Sequence, residues 1–327
     1  MRLEEIYRPI EKELKGVEQI LRRSLTDARS KSVLKISNYL LDSPGKRLRP
    51  ALVILSAKAS QQSPTVDERS MISVAGAMEL IHIASLIHDD VIDHTNLRHN
   101  RPTINSKWGQ DVSIALGDYL YSLGFGLISS CKNKDILSCI ASATKVMCEG
   151  ELIQVCERDN LSLLKERYLI IVKKKTAALF AASCQAGAIV SKAKEPYRDA
   201  LRQYGLNFGI AFQIIDDCLD LIGKKKNLGK SPGADFRMGE LTLPVLNLLS
   251  QKKDKNRIIY LLKHPDRQEA FRELRQRFIN SSALLKTKED IYTYIQKAKK
   301  SIMNRIDNSC FKESLFHLAD YIATRLK

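Results

Sequence analysis

The sequence predicts an all-α fold, a single large helical bundle around a central cavity, with residues 1–327 forming one domain. Apolar residues recur at helical spacing through most of the chain, and the alternation expected of strands is missing. Only 15 glycines and 9 prolines interrupt the chain, and neither Asn-Gly nor Asp-Gly, the dipeptides of tight hairpins, occurs. Because no shift in composition divides the chain, we expect one domain.

The predicted helices follow the apolar periodicity and end at turn-forming residues. We expect them at residues 3–24, 30–41, 50–60, 69–93, 111–130, 134–155, 161–190, 196–222 and 243–249, with further helices beyond. The connections contain Ser43-Pro44-Gly45, Gln62-Ser63-Pro64, Asn100-Arg101-Pro102 and the segment from Gly229 to Gly233. Residues 71–87 and 208–222 are apolar on almost every face, which predicts two central helices surrounded by others.

The composition is that of a soluble globular protein, with 44% hydrophobic and 28% charged residues. The two most apolar stretches are interrupted by Glu79 and His82 and by Lys173 to Lys175, so we expect no membrane span. The N-terminus lacks the apolar core of a signal peptide, and the seven cysteines form no CxxC pair. These features predict reduced, buried thiols and a cytoplasmic location.

The net charge of +16 is spread over lysine-rich patches, which we interpret mainly as solvated surfaces. Aromatic residues make up only 6% of the chain and no nucleic-acid-binding motif is present, so we expect no nucleic acid partner. Loose association with an anionic membrane surface is the better alternative.

Two copies of one acidic pattern carry the main functional signal. Asp89, Asp90 and Asp93 close the first apolar helix, and Asp216, Asp217 and Asp220 close the second. Residues i and i+4 of a helix share a face, so each pattern presents carboxylates that repel one another unless a cation neutralises them. Magnesium is usually held by one or two carboxylates together with substrate phosphates. The six aspartates therefore predict a Mg²⁺ site for a diphosphate above an apolar cavity, although one copy alone could be an ion-pair site at a helix end.

The sequence from residue 44 to about residue 249 resembles the trans-isoprenyl diphosphate synthases, the head-to-tail prenyltransferases. Both aspartate motifs occur in that family, and other segments follow in the family's order: Gly45 to Pro50 (GKRLRP), Glu149-Gly150-Glu151, Lys175-Thr176, Phe212-Gln213 and Gly229-Lys230. The resemblance implies the isoprenoid synthase fold, a homodimer, and two substrates, isopentenyl diphosphate and an allylic diphosphate.

The resemblance also implies roles for individual residues. Lys46, Arg49, His82 and the position of His99 would bind isopentenyl diphosphate, Arg98 would bind the allylic diphosphate, and the six aspartates would hold magnesium. Lys175 and Lys230 would assist departure of the diphosphate, and Thr176 and Gln213 would steady the allylic cation in a site without water.

Two positions depart from the family pattern. His99 stands where an arginine is usual, and Glu240 stands where a lysine is frequent. A neutral imidazole provides less charge and no bidentate fork, so we expect weaker binding of isopentenyl diphosphate unless Arg101 compensates. Less specific roles stay open for His82, as a core histidine, and for Gln213, as a partner of buried backbone.

Side-chain size predicts the product. Ala84 and Ser85 precede Asp89 by about one helical turn, where short-chain members of the family commonly carry an aromatic floor. Two small residues there predict a long-chain all-trans polyprenyl diphosphate, a precursor of quinone side chains, and shorter products from an Ala84→Phe variant. The alternatives are a short-chain synthase of the geranylgeranyl or farnesyl type, a terpene cyclase, and a non-catalytic partner subunit of a heteromeric synthase.

Overall fold

Helices account for most of the chain in a computed structural model, which describes residues 1–42, 45–61, 66–98, 100–223, 232–251, 255–264 and 266–326. In chain order they are α1 (Leu3–Tyr7), α2 (Glu11–Thr26), α3 (Lys31–Leu41), α4 (Leu48–Ala59), α5 (Glu68–Ile92), α6 (Ile104–Trp108), α7 (Gln110–Ser130), α8 (Lys134–Cys156), α9 (Lys165–Val172), α10 (Ala178–Val190), α11 (Glu195–Ile222), α12 (Ala234–Arg237), α13 (Leu243–Leu249), α14 (Lys255–Lys263), α15 (Arg267–Ile279), α16 (Ser282–Met303) and α17 (Cys310–Thr324). The prediction of an all-α fold is confirmed.

The differences from the predicted helices have local causes. Pro9 lies in a 3₁₀ turn at Arg8–Ile10 that divides the helix predicted at 3–24, since proline lacks the backbone N–H that a continuous helix needs. The helix predicted at 161–190 begins at residue 165 and is interrupted by a π-helical segment at Lys173–Ala177. A small antiparallel hairpin, β1 (Leu97–Arg98) paired with β2 (Arg101–Pro102), was not predicted because two-residue strands have no readable periodicity.

The helices α4, α5, α10 and α11 form the centre of the bundle. The α10 helix packs against α4, α8 and α11, and α5 packs against α4 and α7. Gly187 permits the close approach of α10 to α4, because a Cβ there would collide with the carbonyl oxygen of Val53. The buried apolar side chains form one continuous cluster that extends from Ile6 to Ile322. Both segments predicted as central, 71–87 and 208–222, contribute to it.

Among the described residues, two helices, α5 and α7, are long and apolar enough to cross a membrane, a composition that core helices of globular proteins share. Packing explains the composition of α5, since 67% of its most apolar window is buried, whereas α7 buries only 33%. Four large apolar side chains are exposed along α7 and α8: Ile114, Leu137, Leu152 and Val155. We call these four residues the open apolar face. All seven cysteines are free thiols, but only Cys184 and Cys218 are buried, so the expectation of buried thiols is wrong for the other five.

Candidate active site

A cavity of about 880 Å³ lies at the C-terminal ends of α5 and α11. This volume is at the upper end of the range of ligand pockets in proteins. The lining residues Glu79, His82 and Asp89 of α5, and Asp93 at its C-cap, recur at spacings of three to seven, so that one face of the helix forms a wall. All six aspartates of the two motifs belong to the described residues, and five of them line the cavity; Asp220 does not.

The three aspartates of the first motif, Asp89, Asp90 and Asp93, differ in their contacts with basic side chains. Nη2 of Arg98 donates to Oδ1 of Asp90 at 2.8 Å, and Nη2 of Arg158 donates to Oδ1 of Asp93 at 2.5 Å. The carboxylate of Asp89 has no hydrogen-bond donor among the described residues, and burial raises its pKa to about 7. A carboxylate of this kind, without protein donors, is suited to neutralisation by a bound cation.

The second motif, Asp216, Asp217 and Asp220, divides between the cavity and the protein interior. Asp217 is buried and accepts two hydrogen bonds, from the Tyr168 hydroxyl at 2.6 Å and from Nε2 of Gln213 at 2.7 Å. Burial nevertheless raises the pKa of Asp217 to about 7. Asp220 accepts backbone N–H bonds from Ala234 and Asp235, at 3.3 and 3.2 Å, and so anchors the start of α12.

The donor set fits a hard divalent cation that is shared with a ligand. Among the residues that the structure describes, no three His, Cys, Asp or Glu side chains converge closely enough to hold a metal ion by themselves. The cavity nevertheless carries the carboxylates of both motifs, which are hard oxygen ligands. Magnesium takes such ligands one or two at a time and completes its octahedron with phosphate oxygens and water.

Basic side chains occupy the side of the cavity near Asp216. Lys46 and Arg49 line it, and burial lowers the pKa of both, that of Arg49 to about 10. The guanidinium of Arg49 lies 4.2 Å from the ring centroid of Phe180, and its Nε has no hydrogen-bond partner in the described part of the chain. Burial, together with Arg49 and Arg98, lowers the pKa of His82, so its imidazole is neutral at pH 7. This group offers two cations and a neutral donor to an anionic ligand.

The π-helical segment places Lys175 and Thr176 on the cavity wall. Gly150 of α8 allows the segment to come close, because a Cβ there would collide with the backbone of Lys175. Lys175 forms an ion pair with Glu151, and although burial opposes it, Asp89 and Glu151 raise the pKa of this lysine. Lys175 is therefore charged beside the first motif. A π-helical turn of this kind is frequent at functional sites.

Thr176 begins a hydrogen-bonded chain that ends on the second motif. Its hydroxyl donates to Oε1 of Gln213 at 2.7 Å, and the amide of Gln213 donates to Asp217. The alternative of Gln213 as a partner of buried backbone finds no support in these side-chain contacts. The dipoles of Thr176 and Gln213 are thus fixed in orientation at the cavity surface, with no need to reorganise during a reaction.

Two of the predicted residues, His99 and Lys230, lie outside the described residues. Arg101, the expected substitute for a cation at 99, lines the cavity with its guanidinium 4.4 Å from the ring centroid of Tyr39.

Three further residues were not predicted, namely Tyr168, Arg158 and Arg325. Each reaches an aspartate of the motifs from an element remote in sequence. The sequence carries no signal for such contacts, except that a tyrosine seven residues before Lys175 falls on the same helical face.

The comparisons with known proteins agree with this geometry. The family model described as Polyprenyl synthetase matches residues 30–277. The chain is 38% identical over 255 residues to the heptaprenyl diphosphate synthase component 2 of Geobacillus stearothermophilus, covering 78% of both chains. It is 32% identical over 311 residues to the short chain isoprenyl diphosphate synthase of Methanothermobacter thermautotrophicus, covering 93% of this chain and 94% of the other.

A solved structure is similar over nearly the whole fold. The polyprenyl synthase from Caulobacter crescentus, complexed with calcium and isoprenyl diphosphate, has a TM-score of 0.91 and 32% identity, over 99% of this chain and 98% of that one. The family depends on divalent metal ions, and its members elongate prenyl diphosphates. Fold, cavity and sequence agree, and this chain belongs to the polyprenyl synthetase family of prenyltransferases.

Proposed function

We propose that this prenyltransferase elongates an allylic diphosphate with isopentenyl diphosphate to a long-chain all-trans polyprenyl diphosphate, a precursor of quinone side chains, with Mg²⁺ as its ion. The observation that carries the chain-length proposal is Ser85, a small residue that lines the cavity on α5. Its hydroxyl donates to the carbonyl oxygen of His82 at 2.9 Å, so it presents little polarity to the cavity. A growing apolar tail is therefore not stopped at this level.

Helix geometry determines which of the two small residues, Ala84 or Ser85, faces the cavity. A residue four positions before Asp89 lies about 40° from it around the helix, whereas one five positions before lies about 140° away. Ser85 accordingly lines the cavity, while Ala84 is fully buried and is not among the described lining residues. An aromatic side chain would therefore reach the tail from position 85 rather than from position 84, the position at which the sequence alone places the length-changing substitution.

The side chains around the cavity provide the chemistry that chain elongation needs. A bound magnesium ion would supply positive charge to the leaving diphosphate. Lys175 adds a fixed cation beside Asp89, and Thr176 and Gln213 direct their dipoles at the cavity. Lys46, Arg49 and His82 lie where they would hold the diphosphate of the second substrate at a fixed distance, which promotes reaction by proximity.

Two alternatives, a short-chain product and a second subunit, have support from particular relatives. The relative in Methanothermobacter thermautotrophicus is named a short chain isoprenyl diphosphate synthase and matches over almost its whole length, which favours a short-chain product. The relative in Geobacillus stearothermophilus is named a component, which favours a second subunit.

One incubation separates these possibilities. The purified protein is supplied with isopentenyl diphosphate, farnesyl diphosphate and Mg²⁺, and the dephosphorylated products are sized by chromatography. We expect products longer than geranylgeraniol. Products that end at geranylgeraniol would replace the long-chain proposal with the short-chain one. If the chain is inactive alone and becomes active when a second subunit is added, it is one component of a heteromeric synthase.

We also propose that the protein is a homodimer joined through the open apolar face, since large apolar side chains exposed along two adjacent helices are typical of interaction surfaces. Light scattering should give the mass of two chains. Leu152→Glu should reduce this to one, whereas Leu164→Glu should not, since Leu164 is equally exposed, at 67%, but lies outside α7 and α8. A monomeric parent protein would contradict the proposal.

A further inference from the structure

Glu240 and Asp93 are joined across the rim of the cavity by one arginine. Nε of Arg158 donates to Oε1 of Glu240 at 3.1 Å, and Nη2 donates to Oδ1 of Asp93 at 2.5 Å. Oε2 of Glu240 accepts a hydrogen bond from Gln154 at 2.5 Å. Both oxygens of Glu240 are therefore occupied by protein donors, although the residue lines the cavity.

The backbone holds the two loops of this bridge in a fixed register. The N–H of Asp159 donates to the carbonyl of Gly239 at 2.8 Å, directly beside the Arg158–Glu240 contact. Gly239 has a φ of +73°, and a Cβ there would collide with the carboxylate of Asp159. The N–H of Glu240 in turn donates to the carbonyl of Asp235 at 2.9 Å.

This arrangement connects the two aspartate motifs mechanically. Asp93 ends the first motif and binds Arg158, whereas Asp220 ends the second motif and accepts the backbone N–H of Asp235. The path from one motif to the other therefore runs through the Arg158–Glu240 pair and the short helix α12. The side chains of Arg158 and Glu240 are only 18% and 13% exposed, so solvent weakens their ion pair less than it would at the surface.

The charges around position 240 suit a glutamate. A lysine at this position would lie against Arg158 as a second cation. It would also remove the acceptor that holds Nε of Arg158, and with it the constraint on Asp93. The glutamate and the arginine therefore form a matched pair, and Glu240 is not simply a lost cation.

We propose that Glu240 is a positioning residue that acts through Arg158 to fix the carboxylate of Asp93 for a divalent ion and its diphosphate. Arg158 engages Oδ1 of Asp93, and Oδ2 has no hydrogen-bond partner among the described residues. Arg158 thus holds Oδ1, and Oδ2 is left to coordinate the ion. In other metal sites, too, hydrogen bonds from neighbouring residues orient the ligands. This inference rests on the ion site of the proposed function but not on product length.

A double-mutant cycle tests the bridge. Arg158→Gln, Glu240→Gln and the double variant are compared with the parent by calorimetric titration of preformed magnesium pyrophosphate, and by the Mg²⁺ concentration that gives half-maximal product formation. We expect each single variant to weaken binding about 10-fold. The double variant should be no weaker than Arg158→Gln, because Glu240 acts through that arginine. Glu273→Gln, which alters a carboxylate held by Arg257 and Arg277 away from the cavity, should bind like the parent.

Several outcomes would overturn the inference. Additive losses would mean that Glu240 acts without Arg158, and unchanged binding in both single variants would mean that the bridge does not position Asp93. If Glu240→Lys bound magnesium pyrophosphate more tightly than the parent, a cation at position 240 would serve the site better than the pair of Glu240 and Arg158. If a glutamine variant fails to fold, Arg158→Lys keeps the charge but loses the planar fork, and normal binding by that variant also overturns the proposal. A parent protein that binds magnesium pyrophosphate but makes short products would contradict only the chain-length proposal.

Discussion

Nη2 of Arg325 lies 2.7 Å from Oδ1 of Asp216, so the end of the chain reaches the second aspartate motif. The guanidinium of Arg325 also lies 5.0 Å from the ring centroid of Phe212, and its Nη1 is buried without a hydrogen-bond partner among the described residues. After burial, Arg325 is the next largest cause that lowers the pKa of Lys46. Arg325, which follows α17, therefore completes the basic side of the cavity, a role that the sequence did not reveal.

Replacement of Arg325 should weaken binding of isopentenyl diphosphate. We expect Arg325→Gln to raise the KM for this substrate about 10-fold, which corresponds to one lost charge-assisted hydrogen bond. The KM for the allylic diphosphate should change less. Arg305→Gln is the matched control, since that guanidinium is 60% exposed and lies 3.8 Å from Asp199. Equal KM values for isopentenyl diphosphate in both variants would place Arg325 outside the binding site.

The contrast between Arg325 and Asp89 shows what sequence can and cannot predict. Asp89 ends an apolar helix, and such periodicity is local and can be read from the sequence. Lys175 and Gln213 could also be predicted from the sequence, because each lies in a short segment that matches a motif of a known family. The contacts of Arg325 and Arg158 arise only when helices distant in sequence pack together, and no local pattern encodes them. Asp220 illustrates the reverse case, because its motif suggests a ligand whereas its carboxylate accepts hydrogen bonds from the N–H groups of a following helix.

A larger side chain at position 85 should shorten the product. Ser85→Phe places an aromatic ring on the cavity wall about one turn below Asp89, where it blocks the growing tail. Chromatography of the products should show chains shorter than those of the parent protein, at a similar rate for the first condensation. Ser85→Ala, which removes only the hydroxyl bonded within the helix, should leave product length unchanged. Identical products from all three proteins would exclude this level of α5 as the determinant of length.

Loss of the Tyr168 hydroxyl should destabilise the site around Asp217. Tyr168→Phe removes one of two hydrogen bonds to a buried carboxylate, which should lower the free energy of unfolding by about 1–3 kcal/mol. Urea unfolding of the metal-free protein measures the difference. Tyr294→Phe serves as the control, because that tyrosine is only half-buried and, in the described part of the chain, its hydroxyl makes no hydrogen bond to the motif. An unfolding free energy equal to that of the parent would show that water replaces the hydroxyl at Asp217.

Neutralisation of Asp89 should make the protein more stable and less active. Burial raises the pKa of Asp89 to about 7 in the folded chain, above the ordinary value of about 3.9 for an unfolded aspartate. Between these two values the folded state binds a proton that the unfolded state lacks, so stability falls as the pH rises from about 4 to about 7. Asp89→Asn removes this loss. Its Tm should exceed that of the parent by roughly 6 °C at pH 8 and match it below pH 4, while activity with Mg²⁺ falls on the order of 100-fold. A Tm difference that is independent of pH would mean that the pKa of Asp89 is the same in the folded and unfolded chain, and would contradict the prediction.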